Sequence, residues 1–250
     1  MPGEPEPAVA YALPMQFNAP LSSQRADQLV DLLKLDQSDA VVEVGCGKGA
    51  LLRKVVARWR CQALGIDIDA AAVHTAQQAA AAQGLAITFR CADAKLLPLR
   101  PVELAICIGA THAYGQGARA WHNTLTVFSR LVRPGGQILI ADGFWARSPD
   151  PEYLSFLGDN PGIEKTHAEN IAAAQAMGLI PLYAAQSSPE EWDHFEWSHT
   201  LAAERAAMAH PDDTALLQQQ QHRRRWQAAY EKWGRDTMGF GFYLLGVPAR

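Results

Sequence analysis

Val41-Val42-Glu43-Val44-Gly45-Cys46-Gly47-Lys48-Gly49 is the stretch whose reading decides the rest of the chain. A short β-branched run ends in three glycines at alternate positions. The first part favours an extended strand; the glycines let the backbone turn sharply and come close to a ligand. From Ala50 to Trp59 the apolar spacing becomes helical, so the stretch reads as strand, glycine turn, helix. Ala40 to Val44 is the strand itself. Downstream the alternation continues: strand candidates at Ala63 to Ile68, Ala86 to Cys91, Leu104 to Ile108 and Gln137 to Ala141. Helical patterns fall between them at Ala70 to Ala82 and Ala118 to Leu131, closed by Gly84 and by Arg133-Pro134-Gly135-Gly136. This predicts an α/β fold, a doubly wound and mostly parallel sheet with helices on both faces.

The flanks differ from this centre. Pro2, Gly3, Pro5, Pro7 and Pro14 exclude a regular element up to about residue 19, which leaves residues 1–20 as a flexible or lid-like leader. Ser22 or Ser23 then caps a helix with an apolar face of Ala26, Leu29, Val30 and Leu33. Lys165 to Met177 reads as a helix and Ile180 to Ala185 as a strand whose Pro181 places it near an edge or a strand start. Residues 189–235 look helical throughout, an insertion or lid ahead of a last strand at Gly239 to Val247. With 250 residues, one domain spanning 1–250 accommodates all of this.

Composition narrows the function. Hydrophobic residues make up 48% and charged residues 19%, the balance of an ordinary globular protein, and the net charge is −4. Nucleic-acid binders carry a basic excess that neutralises phosphates, so no nucleic-acid partner is expected. The one basic run, Arg223-Arg224-Arg225, reads as a solvated helix face. No apolar run reaches the length of about 18 residues that a membrane helix requires, and no membrane partner is expected. The first residues are acidic and proline-rich where a secretory leader is basic and then apolar. Cys46, Cys61, Cys91 and Cys107 lack Cys-x-x-Cys spacing and read as reduced core cysteines of a cytoplasmic protein. His194 and His199, five apart, do not share a helix face, and no metal site is expected.

Two further acids accompany the glycine turn. Asp67 ends the next strand in Leu64-Gly65-Ile66-Asp67-Ile68-Asp69, where a carboxylate accepts hydrogen bonds from ribose hydroxyls. Asp93, in Cys91-Ala92-Asp93-Ala94, is placed to accept from an adenine amino group. The loop alone leaves a nicotinamide enzyme open, because Gly45-x-Gly47-x-x-Ala50 with Asp67 also satisfies the loose dinucleotide pattern. Glu43 tilts the balance away from it, standing where dinucleotide enzymes have an apolar strand residue. Asp93 does the same, as does the leader of roughly 40 residues that precedes the motif.

From about residue 40 to 142 the chain resembles the class I, Rossmann-like methyltransferases that use S-adenosyl-L-methionine (SAM) and release S-adenosyl-L-homocysteine (SAH). The motifs carrying the resemblance are Glu43 to Gly49, Asp67, Cys91 to Ala94, and Arg133 to Gly136 before the fifth strand. Ile108-Gly109-Ala110-Thr111 and Ala141-Asp142-Gly143-Phe144-Trp145 resemble a bacterial subgroup acting on small molecules. The resemblance implies a seven-stranded sheet with an antiparallel last strand. It implies a SAM site made by Glu43, Gly45, Cys46, Gly47, Asp67, Ile68, Asp93, Ala94 and Ile108. It leaves three alternatives open: a protein substrate, a nucleic-acid substrate, or a SAM-binding protein without transfer activity.

Ligands in open α/β sheets bind beyond the carboxyl ends of the strands, so the methyl acceptor is expected over the fourth and fifth. There His112 is the candidate proton acceptor and Tyr114 the candidate orienting group. Asp142 and Trp145 end the fifth strand as candidate substrate contacts, and Trp192 and Trp197 offer further aromatic surface from the insertion. Trp226, Tyr230 and Trp233 form one helical stripe, read as core. Tyr11 to Asn18 is expected to close another side.

Overall fold

The computed structural model describes residues 15–158 and 165–249. Seven strands form one sheet: β1 (Ala40–Val44), β2 (Gln62–Asp67), β3 (Ile87–Cys91), β4 (Val102–Ile108), β5 (Val132–Trp145), β6 (Ile180–Gln186) and β7 (Met238–Gly246). Their order is β3-β2-β1-β4-β5-β7-β6. The β1–β2, β2–β3, β1–β4 and β4–β5 pairs are parallel, and β7 lies antiparallel between β5 and β6. The expected sheet and its antiparallel last strand are therefore present. β6 is an edge strand, as Pro181 required, and its register against β7 shifts between Pro181 and Tyr183.

Period-2 alternation along the central strands feeds two cores, one on each face. Val41, Leu104, Ile106, Leu139 and Phe242 pack with α1 (Ser23–Leu32), α2 (Ala50–Trp59) and α3 (Ala70–Ala82) through Leu29, Leu52, Val55 and Ala76. Val42, Val44, Ala105, Cys107, Ile138 and Ile140 face the other way, against α4 (Ala118–Leu131) through Trp121, Leu125 and Phe128. Both faces being covered is why these strands are apolar at nearly every position. On the second face α6 (His167–Ala176) adds Ala174; before it runs the short α5 (Pro151–Leu157).

Between β6 and β7 stands a helical pair, α7 (Pro189–Ala209) and α8 (Thr214–Ala229). The expectation of unbroken helix over 189–235 is corrected at 210–213. Pro211 cannot continue the ladder, and Asp213 starts a new helix by accepting from the Ala215 and Leu216 N–H groups. After α8 the coil widens into a π turn over Tyr230–Gly234. Ser188 and Glu191 form a reciprocal capping box at the start of α7. Glu191 also reaches back across the chain: its Oε1 accepts from Ser22 N at 3.0 Å and Ser22 Oγ at 2.6 Å, where Ser22 caps α1. One carboxylate thus ties the chain entering α1 to the first turn of α7. Ser187 Oγ, donating to Pro20 O at 2.5 Å, adds a second tie.

Candidate active site

The strand order reverses between β1 and β4, and a cavity of about 780 Å³ opens over the carboxyl ends of the strands there. The loops after β1 and β4 touch. A Cβ on Gly45 would lie 2.2 Å from Ala110 Cβ. Gly45, Gly47 and Gly49 have φ of 70°, 49° and 67°, the left-handed region that favours glycine. Their roles differ. Gly45 and Gly49 are closely packed, and a Cβ on Gly49 would lie 2.7 Å from the Phe89 ring, while nothing lies within 4 Å of a Cβ on Gly47. Gly47 is where the loop opens onto the cavity.

Asp67 locks that loop to the next one. Its Oδ2 accepts from Gly47 N at 2.7 Å and its Oδ1 from Asp69 N at 3.0 Å. Each oxygen keeps acceptor capacity for a ligand hydroxyl. Asp93 Oδ1 accepts from Lys95 N at 2.9 Å and starts a short turn over Ala94–Leu96. Ile68 is 75% exposed, an apolar side chain standing at the cavity wall.

Glu43 is buried, and its Oε2 has no hydrogen-bond partner. Burial pushes its carboxyl up to about 8, the Leu52 backbone opposes this, and the Asp67 charge adds to it. A carboxyl that binds its proton more tightly folded than unfolded contributes stability below the ordinary value, here 4.5, and that stability is lost as pH rises through about 8. The melting temperature of the ligand-free protein should therefore fall by at least about 5 °C between roughly pH 5 and pH 8. Glu43→Gln, which keeps the shape without the ionisation, should flatten the curve. Equal slopes in thermal scans of the two proteins would show that Glu43 does not carry this dependence.

Every residue expected at the cofactor site lines this cavity: Glu43, Gly45, Cys46, Gly47, Asp67, Ile68, Asp93, Ala94 and Ile108. His112 lines it as well, from the turn Thr111–Tyr114. The Thr111 hydroxyl donates to the Asp142 carboxylate, and Thr124 Oγ1 donates to Thr111 O at 3.2 Å. Burial raises the Asp142 carboxyl, while Thr111, the Gly143 N–H and the nearby His112 lower it. Asp142 thus lies beneath the His112 turn and is not among the residues lining the cavity.

Tyr114, Trp145, Trp192 and Trp197 are not among the lining residues either. Tyr114 turns into the second core, edge-on to Phe128 with centroids 5.9 Å apart, and burial pushes its phenol up to about 12. Trp145 packs with Tyr153 and Ala229 in a separate small cluster. Trp192 sits against Tyr230 and Phe240. Trp197 is 50% exposed and donates to Glu231 Oε1 at 3.2 Å. In the stripe, Tyr230 is buried, Trp226 donates to Glu196 and Trp233 stacks on Tyr153.

The far walls come from the leader, where closure was expected, and from α7 and α8, whose lining residues the sequence reading did not assign to the site. Met15 to Ala19 close one side; Tyr11 to Pro14 lie outside the described residues. His199, Ala202 and Ala203 of α7 and Gln219, His222 and Arg223 of α8 close another. The solvated-face reading of Arg223 to Arg225 is corrected at Arg223. It turns inward, its Nη2 2.8 Å from Glu196 Oε2, whereas Arg224 pairs with Glu204 and is exposed. Cys91 is exposed rather than core. Among the described residues no cluster of three or more metal-ligating side chains occurs, and no helix is long and apolar enough to cross a membrane.

Residues 41–136 match the methyltransferase domain family. That stretch, which holds the glycine turn and its acids, is a methyltransferase domain. The sheet around it has the Rossmann-like methyltransferase fold. Solved structures share the fold over nearly the whole chain. YjhP from E. coli is 21% identical with a TM-score of 0.83, covering 95% of this chain and 96% of its own. A SAM-dependent methyltransferase from Geobacter sulfurreducens, in complex with SAH, is 24% identical with a TM-score of 0.83, covering 93% and 94%. Another from Thiobacillus denitrificans, also with SAH, is 22% identical with a TM-score of 0.81, covering 93% and 94%. The family match ends at residue 136, and the α7–α8 pair, beyond it, closes one side of the cavity.

Proposed function

We propose that the chain is a SAM-dependent methyltransferase acting on an N, O or S nucleophile of a small molecule. The observation that carries this reading is the cavity: about 780 Å³, roofed by α7, α8 and Met15 to Ala19. A chamber of that size suits a cofactor beside a compact acceptor, within the range of about 300–1,000 Å³ usual for small-molecule pockets. The net charge of −4 gives no electrostatic attraction to a polyanion.

The cofactor end fits SAM. Asp67 has acceptor capacity left for ribose hydroxyls, and Asp93 and Ile68 offer the adenine an acceptor and an apolar wall. Gly47 gives the backbone room to pass the ligand closely, and the unpartnered Glu43 oxygen suits a ligand that carries positive charge. Bound there, SAM supplies a methyl group on a cationic sulfur that is already a good leaving group. The chain's own work is alignment and exclusion of water, worth up to about 7–11 kcal/mol in favourable cases. His112 takes the proton of an acceptor that arrives protonated.

Incubating the protein with methyl-labelled SAM and a pool of small metabolites tests the reading. Label in a small product supports it; label in protein or RNA, or SAH-competent binding with no transfer, overturns it. At the cofactor end, Asp67→Ala should weaken SAH binding roughly 10–150-fold in calorimetry, the loss expected for a charge-assisted hydrogen bond of about 1.5–3 kcal/mol. Unchanged affinity in a folded variant would remove Asp67 from the ribose site.

A further inference from the structure

Charge is segregated within the cavity. The carboxylates among its lining residues, Glu43, Asp67, Asp69 and Asp93, all belong to the ends of β1–β3 and the turns that follow. The opposite wall carries none. It presents His199 from α7, His222 and Arg223 from α8, and His112 from the turn after β4. Lys48 and Lys95 also line the cavity, on the acidic side and exposed to solvent.

Arg223 is held in place from behind. Its Nη2 donates to Glu196 Oε2 at 2.8 Å and to Glu196 O at 3.0 Å, and Glu196 is kept in position by Trp226 Nε1 at 2.9 Å. Glu196 itself is buried and is not among the residues lining the cavity. Arg223 Nε has no partner. A guanidinium has five N–H donors in a fixed fork, so a group anchored along one edge still has donors for a second, planar acceptor. Because Glu196 already balances much of the charge, the arrangement suits a singly charged anion rather than a phosphate dianion.

We propose that the methyl acceptor carries a carboxylate, gripped by Arg223 with His199 and His222 beside it, as a handle remote from the atom methylated. This rests on the reading of the cavity as a joint cofactor and acceptor site. The carboxylate is the handle and not the nucleophile, because pairing with a guanidinium stabilises its lone pairs and makes them poorer at displacement. An anion on the α7–α8 wall also complements the acidic, cation-receiving end, so cofactor and acceptor sort themselves to opposite walls.

The test uses the full chain saturated with SAH. The probes are 4-hydroxybenzoate, β-alanine and 3-mercaptopropionate, each beside its primary amide, titrated by calorimetry or ligand-observed NMR. At least one carboxylate should bind tenfold or more tightly than its amide. Arg223→Gln should erase that preference while leaving SAH affinity within about twofold. Since Arg223→Gln strands the buried Glu196 charge and can cost folding, the double variant Glu196→Gln/Arg223→Gln removes both charges and should show the same loss. Glu196→Gln alone should act oppositely, tightening the carboxylate several-fold. No carboxylate binding above its amide, or a preference that survives the double variant, overturns the proposal. Failure of the wild-type chain to bind SAH at all overturns the cofactor reading beneath it instead.

Discussion

Gly47→Val should yield a folded chain that no longer binds SAH measurably. The three glycines of the loop are not equivalent, and this is the one where binding separates from folding. A side chain on Gly45 would drive into Ala110, and one on Gly49 into Phe89, so substitution there disturbs the packing of the loop itself. At Gly47 a Cβ meets no protein atom within 4 Å. What it enters is the cavity proposed for the cofactor. The φ of 49° adds strain, because a β-branched residue in the left-handed region costs roughly 1–3 kcal/mol. That cost lowers the melting temperature by a few degrees without unfolding the sheet. A loss of a thousandfold or more in SAH affinity, about 4 kcal/mol, is expected in calorimetry, with an unchanged circular dichroism spectrum. Gly47→Ala, with less volume and the same φ, should fall between. Tight SAH binding by folded Gly47→Val would mean that the loop does not cradle the cofactor.

The centre of the fold was legible because its signals are local. Val41 to Trp59 announces strand, turn and helix within nineteen residues, and the helices on either side carry their own start signals. Asp69 caps α3 and Ser22 caps α1 with the side chains their identity suggests. The capping box of α7 is equally local, Ser188 to Glu191. The second use of Glu191 is not, since Ser22 lies 169 positions away and no spacing rule connects them. The short α5 escaped the pattern reading although Asp150-Pro151 is a helix start, because seven residues give too few turns for periodicity to show.

The acceptor wall was hidden for a different reason. Arg223, Arg224 and Arg225 look alike as a run, yet successive helix positions rotate by about 100°, so three neighbours cannot share one face. One of them had to turn toward α7, and Glu196 with Trp226 decides which. His199 drew notice only as a metal-ligand candidate, and its place in the cavity follows from how α7 packs on α8. The aromatic residues erred the other way. Tyr114, Trp145 and Trp192 carry large apolar surfaces whose burial stabilises the fold more than a cavity wall would, and each is drawn into packing. His112, polar and in a turn at the end of β4, had no such competing demand.

His112→Gln should lower turnover of the true acceptor by about 10²–10⁴-fold, the range typical of general-base catalysis. Glutamine approximates the size and hydrogen bonding of the imidazole but accepts no proton. The turn that carries it should survive the change, because Thr111 is anchored by Asp142 and Thr124 rather than by the His112 ring. SAH affinity should stay within about threefold, since the acids and glycines proposed to hold the cofactor come from β1–β3 and the turns after them. The discriminating comparison is His199→Gln. His199 lines the same cavity, and burial, helped by the Arg223 charge, holds its imidazole below the usual 6.5. A base on α7 would therefore give an ascending limb of the pH–rate profile at lower pH than an ordinary histidine, and that limb would vanish in His199→Gln alone. If His112 is the base, the ascending limb disappears in His112→Gln and persists in His199→Gln, with kcat falling and KM nearly constant. A raised KM with the limb intact in His112→Gln would reduce that residue to shaping the pocket. Near-normal turnover in both variants would point to an acceptor that arrives already deprotonated, such as a thiolate, with alignment against the sulfonium as the whole of the chain's contribution.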